Sequence, residues 1–173
     1  GTKEFIKKNG EFTVNIALIE NNKPILGVIY APVNSVLYFA QENYGSYKIN
    51  TNTQLANLTG SKKIVVSKKS SIERIIGSRS HSNKSFDSWI NEKFPNAKII
   101  QAGSSLKFCL IAEGAADIYP RFGPTSEWDI AAGHIIVNEA GGKISTFENS
   151  EIHYNTKEDL LNPQFYAIGN FKI

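Results

Sequence analysis

Residues 128–142 read WDIAAGHIIVNEAGG and combine a helical spacing of apolar residues with a double-glycine end. The residues at the intervals of one helix face are Trp128, Ala131, Ala132, Ile135, Ile136 and Ala140. This spacing predicts a helix from Trp128 to Ala140 that buries one face. Gly141 and Gly142 are predicted to end it.

Asp129 lies in the first turn of this predicted helix. Free backbone N–H groups and the partial positive charge of the helix end favour a carboxylate there, so Asp129 is suited to cap the helix. It is also a candidate metal or substrate ligand. The residues alone favour the cap, because acids are common in first turns, and both interpretations stay open.

The composition is that of a globular protein of 173 residues, 41% of them hydrophobic. A net charge of +3 excludes a general affinity for nucleic-acid polymers or membranes, so any anion binding is local. The single cysteine, Cys109, is expected in the core and suits a reducing compartment, the cytoplasm. No transmembrane segment or signal peptide is predicted. The sequence starts at Gly1 and contains no methionine, as expected of a fragment.

Hydrophobic periodicity divides the chain into two parts. Alternation predicts antiparallel strands at 11–19, 25–30, 36–40 and 44–49, and the polar residues 50–61 are the best boundary. We therefore predict that residues 1–60 are the remainder of an N-terminal sheet domain and that residues 61–173 are a C-terminal α/β domain. In the second part, strands at 64–66, 75–76, 97–100, 116–119, 143–147 and 165–168 alternate with helices at 83–94, 104–113 and 128–140. The fold class is α/β (α+β).

Three polar loops are candidate ligand sites. Ser104 and Lys107 stand where a strand leads into a helix and are predicted to share a helix face, which suits a phosphate; the alternative is a serine cap followed by a solvated lysine. Ser80 and His81 follow another strand, and His81 could contact a base, ribose or phosphate, although a lone loop histidine is more often simply exposed. Arg121 has the planar fork that fits phosphate, or is a surface arginine beside prolines.

The remaining acids show no spacing typical of a metal site. Glu4, Glu11, Asp117 and Glu139 are scattered, and no Ser-His-Asp or Cys-His arrangement stands out. A divalent cation needs several oxygen ligands, and only Asp129 is a convincing one.

Four stretches together resemble the inositol monophosphatase superfamily, most closely its bacterial 3'(2'),5'-bisphosphate nucleotidase branch. They are GTKEF at 1–5, GSSLKFC at 103–109, Tyr119-Pro120-Arg121, and residues 128–142. The resemblance covers nearly the whole chain. It implies a layered αβαβα sugar-phosphatase-like fold, here lacking the N-terminal helices.

The resemblance also implies an activity and a set of site residues. The reaction is Mg²⁺-dependent, lithium-sensitive removal of the 3'-phosphate of adenosine 3',5'-bisphosphate, giving AMP. Asp129 becomes a metal ligand and Thr2 orients the attacking water, so both are catalytic. The implied substrate contacts are Thr2, Ser80, His81, Ser104, Lys107, Arg121 and Asp129.

The resemblance begins inside the superfamily's first motif, Asp-Pro-(Ile/Leu)-Asp-Gly-Thr, at its Gly-Thr. It implies that the other metal ligands lie upstream of Gly1, so this chain alone is expected to bind magnesium poorly and to be inactive or very slow. The predicted 12–30 hairpin would expose an apolar face, favouring self-association or pairing with the missing N-terminal half. Peripheral attachment at the inner membrane is a further implication.

Two other functions remain open. One is a sugar phosphatase acting on inositol monophosphate or fructose bisphosphate. The other is a non-catalytic nucleotide-binding fragment.

Overall fold

The computed structural model describes residues 5–6, 8–51, 58–78 and 84–171. Within these ranges it contains two five-stranded sheets and three helices. The α/β fold class predicted from the sequence is confirmed.

The first sheet is antiparallel throughout, with its strands in chain order. Alternating apolar residues and tight turns favour such a meander. The strands are β1 (Val14–Glu20), β2 (Lys23–Ala31), β3 (Val36–Gln41), β4 (Gly45–Asn50) and β5 (Lys62–Ile64). The predicted division between residues 60 and 61 stays a prediction, although β5 pairs with β4 and extends the first sheet to Ile64.

The second sheet is mixed and has the order β7-β6-β8-β10-β9. Its strands are β6 (Arg74–Ser78), β7 (Lys98–Ala102), β8 (Ile118–Arg121), β9 (Lys143–Thr146) and β10 (Phe165–Ile168). Strands β7, β6 and β8 run parallel, whereas β10 is antiparallel to both of its neighbours. The predicted strand at 116–119 was placed too early, because β8 starts at Ile118 and includes Arg121.

The three helices are α1 (Lys84–Lys93), α2 (Leu106–Ala112) and α3 (Glu127–Glu139). Helices α2 and α3 lie between the two sheets and share one core with them. Helix α1 packs against the opposite face of the second sheet, with Ile90 buried beside Ile75 and Ile118. The described residues thus stack as sheet, helix, sheet, helix. No helix within them has the length and apolar character needed to cross a bilayer.

Helix α3 is the central element, and its burial differs from the prediction. Every residue from Ile130 to Val137 is buried, because α3 is enclosed between two sheets rather than packed on one. Trp128, predicted to face inward, is instead 63% exposed and borders a cavity of about 220 Å³ beside β1. The helix ends at Glu139, and Gly141 follows with a φ of +91°, so the glycine stop is confirmed.

Two glycines allow α3 to approach its neighbours. A Cβ on Gly133 would lie 2.5 Å from the Phe108 ring on α2, and a Cβ on Gly27 would lie 2.4 Å from the Ile135 side chain. Both distances are far below a van der Waals contact, so only glycine permits this packing. The approach at Gly133 places Phe108, near the start of α2, against the middle of α3.

Candidate active site

The start of α3 holds Asp129 in a capping position. Ser126 is the N-cap, and its backbone N–H donates to Asp129 Oδ2 at 2.9 Å. The capping role favoured by the residues alone is therefore present. This bond uses one of the two carboxylate oxygens, and Asp129 is exposed, so the second oxygen can still face a ligand.

Glu127 fixes the first turn of α3 from the other side. Its buried carboxylate accepts from Lys157 Nζ at 2.7 Å and from the Asn155 backbone N–H at 2.9 Å. Burial alone would raise the pKa of Glu127, but these two bonds outweigh it and hold the pKa below its usual value. Residues 155–157 thereby anchor the helix end that carries Asp129.

Lys107 and Ser104 meet, although not as two residues on one helix face. Ser104 precedes α2 and has a φ of +50°, and its carbonyl accepts from Lys107 Nζ at 2.8 Å. Lys107 is only 7% exposed, so the solvated-lysine alternative is wrong. A serine, Ser105, is the N-cap residue of α2, but its side chain makes no capping bond to the helix.

Tyr119 on β8 interacts with three of the predicted site residues, Lys107, Arg121 and Asp129. Lys107 Nζ lies 5.3 Å from the centroid of its ring, a cation–π distance. Burial raises the pKa of Tyr119 to about 12; the Arg121 guanidinium opposes this rise and the Asp129 charge adds to it. The phenol is therefore within electrostatic range of both. Sequence reasoning quoted Tyr119 but gave it no role.

Arg121 is the last residue of β8 and is half-buried rather than on a free loop. Its guanidinium donates to the carbonyls of Gly123 at 3.1 Å and Pro124 at 3.0 Å. These bonds hold the arginine against the segment that leads into α3. Tyr119 thus has the Lys107 ammonium over its ring and the Arg121 guanidinium acting on its hydroxyl.

Sequence reasoning also missed Thr13 and Asn15. Thr13 Oγ1 lies 2.7 Å from Ser104 Oγ and 2.6 Å from Ser105 Oγ, and Ser105 Oγ donates to Asn15 Oδ1 at 2.6 Å. The partners are about ninety residues apart in the sequence, so no local pattern could indicate them.

Three other predicted site residues, Thr2, Ser80 and His81, lie outside the described residues.

Two other acids of the described residues, Asp117 and Glu139, have structural partners. Asp117 is fully buried against Arg74, with 2.6 Å between Oδ1 and Nη2, and the Glu139 carboxylate accepts from the backbone N–H groups of Asn43 and Gly45. Cys109 is a core residue, as predicted, and burial raises its pKa. Within the described ranges, no group of three or more His, Cys, Asp or Glu side chains could hold a metal ion.

A model of the inositol monophosphatase family matches residues 1–168, and the chain belongs to this family. The resemblance seen in the four sequence stretches is thereby confirmed.

The similar proteins include bacterial nucleotidases. A 3'(2'),5'-bisphosphate nucleotidase CysQ from Buchnera aphidicola subsp. Acyrthosiphon pisum is 49% identical over 169 residues, which are 96% of this chain and 60% of the relative. CysQ from Escherichia coli is 44% identical over 165 residues, covering 95% of this chain and 63% of the relative. The chain thus spans about 60% of the length of these curated relatives.

Among solved structures, CysQ from Bacteroides thetaiotaomicron superimposes with a TM-score of 0.90 at 43% identity. The match covers 99% of this chain and 68% of that one. An IMPase from Thermotoga maritima gives a TM-score of 0.75 at 27% identity, covering 96% and 59%.

Proposed function

We propose that the protein removes the 3'-phosphate of adenosine 3',5'-bisphosphate and releases AMP. The observation that carries the proposal is that the buried Lys107 lies against the ring of Tyr119, whose hydroxyl is within electrostatic range of Arg121 and Asp129. Two fixed cations suit the phosphate group of the substrate that does not react. The names of the curated relatives support the nucleotide as substrate.

The proposed cofactor is Mg²⁺, since the inositol monophosphatase family is generally metal-dependent. Asp129 fits as one ligand, because it is exposed and only one of its oxygens takes part in the capping bond. The bound ion would supply an activated water and neutralise negative charge on the reacting phosphate. Lys107, Ser104 and Arg121 would hold the phosphate that does not react.

Phosphate release tests the substrate. The protein, expressed at the full length of its gene, is assayed with Mg²⁺ on adenosine 3',5'-bisphosphate, inositol 1-phosphate and fructose 1,6-bisphosphate. We expect the nucleotide to be turned over with the highest kcat/KM. A preference for either sugar phosphate would refute the proposal and favour a sugar phosphatase.

Lys107→Ala is the sharpest variant for this assay. Losing a charge-assisted contact to phosphate is expected to raise KM for the nucleotide by roughly 10- to 100-fold. Lys98→Ala is the matched control, because Lys98 is exposed at the far end of β7. Unchanged turnover of the nucleotide by Lys107→Ala would remove this lysine from the site.

Calorimetry with AMP separates an enzyme from a binding module. We expect AMP to bind more tightly when Mg²⁺ is present. Nucleotide binding without any metal dependence, combined with no phosphate release, would favour the non-catalytic alternative.

The outer face of the first sheet is proposed to mediate self-association. Val14, Ile16 and Leu18 of β1 are exposed and pair in register with Tyr30, Val28 and Leu26 of β2. Such a continuous apolar strip is uncommon on a monomer surface. Sedimentation velocity should show a dimer that Ile16→Lys weakens and the control Val33→Lys, in the β2–β3 turn, does not; a monomer in all cases would refute the proposal.

We also propose a cytoplasmic location, because the single cysteine is buried and unoxidised, as is typical of proteins in a reducing compartment. Recovery in the membrane or periplasmic fraction of fractionated cells would contradict it.

A further inference from the structure

Three hydroxyl groups form a hydrogen-bonded chain between β1 and the segment before α2. The chain runs from Ser104 through Thr13 to Ser105 and ends on the Asn15 amide, with separations of 2.7, 2.6 and 2.6 Å. Ser105 is buried and the other three residues are half-buried. Short bonds in a partly desolvated setting fix the orientation of each group.

Counting protons gives the direction of every bond. A hydroxyl group has one proton, and Ser105 gives its proton to Asn15 Oδ1. Thr13 must therefore donate to Ser105. Its own proton is then used, so Ser104 must donate to Thr13. In this arrangement Ser104 Oγ presents only lone pairs to a ligand.

This direction matters because phosphate oxygens accept hydrogen bonds and need donors. Ser104 can donate to a phosphate and keep its bond to Thr13 only if the whole chain reverses. Reversal requires the Asn15 amide to turn by about 180°, so that Nδ2 donates to Ser105. The three hydroxyl groups then rotate, no proton moves between heavy atoms, and the net charge is unchanged.

We propose that Thr13 and Asn15 are positioning residues for Ser104, and that the orientation of the Asn15 amide decides what Ser104 offers. One orientation offers a proton to a phosphate, and the other offers a lone pair to a ligand hydroxyl. The inference rests on the proposed function, since it takes Ser104 as a ligand contact. Lys107 already binds the Ser104 carbonyl at 2.8 Å, so reversal would place a second donor beside its ammonium group.

Asn15→Asp tests the direction of the chain. An ionised carboxylate only accepts, so this variant holds Ser104 in the lone-pair orientation. We expect Kd for AMP and KM for the bisphosphate nucleotide to rise about tenfold, the effect of one lost hydrogen bond to a charged group, with kcat nearly unchanged. Thr13→Ser keeps the chain and should stay within about twofold of wild type, whereas Thr13→Val breaks it and should weaken binding.

A double variant separates the chain from the added negative charge. If Asn15→Asp acts through Thr13, it should weaken AMP binding by less than about twofold in the Thr13→Val background. Equal factors in both backgrounds would show a through-space charge effect and overturn the proposal. If Thr13→Val fails to fold, Ser104→Ala serves as the second background, with the same two outcomes.

The wild type distinguishes this inference from the proposed activity. Binding of AMP without phosphate release would refute the activity, while the Kd series would still decide the roles of Thr13 and Asn15. Equal affinity of wild type, Asn15→Asp and Thr13→Val for AMP would overturn the positioning role, even in an active enzyme. Failure of the wild type to bind AMP or inorganic phosphate would overturn it as well.

Discussion

Replacing His134 should remove most of the loss of stability between pH 7.5 and pH 5. His134 is buried on α3, and its Nδ1 lies 2.8 Å from the Tyr154 hydroxyl. Burial lowers the pKa of His134 from 6.5 to about 4; the nearby Glu151 opposes this, and His153 and Lys23 add to it. The folded protein therefore keeps a neutral imidazole where the unfolded chain takes up a proton.

The size of the effect follows from these two pKa values. Below pH 6.5 the unfolded state binds more protons than the folded state, so stability falls as the pH falls towards 4. The full difference corresponds to about 3 kcal/mol, of which about 2 kcal/mol is lost by pH 5. For a chain of this length the melting temperature should drop by roughly 4–8 °C.

Urea unfolding at pH 7.5 and pH 5 measures this loss. In His134→Asn the amide can still hydrogen-bond to the Tyr154 hydroxyl but does not titrate, so most of the loss should disappear. His153→Asn, at a half-exposed histidine on the neighbouring segment, is the control, and most of the wild-type slope should remain because burial is the main cause of the lowered His134 pKa. Asp117 and Glu127 have lowered pKa values, so their contribution is lost only at more acidic pH. An unchanged pH dependence in His134→Asn would refute the reasoning.

Substitutions at Asp129 and at Arg74 test the start of α3 and the buried ion pair. Asp129→Asn should abolish phosphate release but lower the free energy of unfolding by less than about 1 kcal/mol, because the amide oxygen can still accept from Ser126. Asp129→Ala should also lose the cap, which lowers the free energy of unfolding by about 1 kcal/mol more in urea unfolding. Retained Mg²⁺-dependent turnover in Asp129→Asn would exclude the ligand role. Arg74→Met leaves Asp117 buried without its cation and should cost about 3–5 kcal/mol, part of which Asp117→Asn in the same chain should restore; a cost below about 1 kcal/mol would contradict the burial of this pair.

Some residues of the candidate site can be recognised from a sequence motif, whereas others join the site only through the packing of distant segments. Ser104, Lys107, Arg121 and Asp129 were indicated by the resemblance of contiguous stretches to one family. Tyr119 had no role from the sequence, because a tyrosine on a buried strand looks like any other core residue.

Local pattern also determined much of the fold. Alternation located the four long strands of the first sheet, and the spacing from residue 128 with its double glycine located α3 to within one residue at each end. These features depend on a few neighbouring residues, so a single sequence contains them. Pairings between distant segments determine the strand order, the assignment of β5 to the first sheet and the start of β8 at Ile118. A local pattern does not contain these pairings.

The sequence by itself determined that α3 exists, where it ends and that Asp129 stands in its first turn. Only the tertiary structure decided that the middle of α3, from Ile130 to Val137, is buried on all sides, that Trp128 faces outward, and that Lys107 is withdrawn from solvent. The physical reason is that burial is set by what lies across the layer, not by the residues beside it in the chain. A helix between two sheets has no solvated face, and a helical period alone cannot tell how many of its faces are covered.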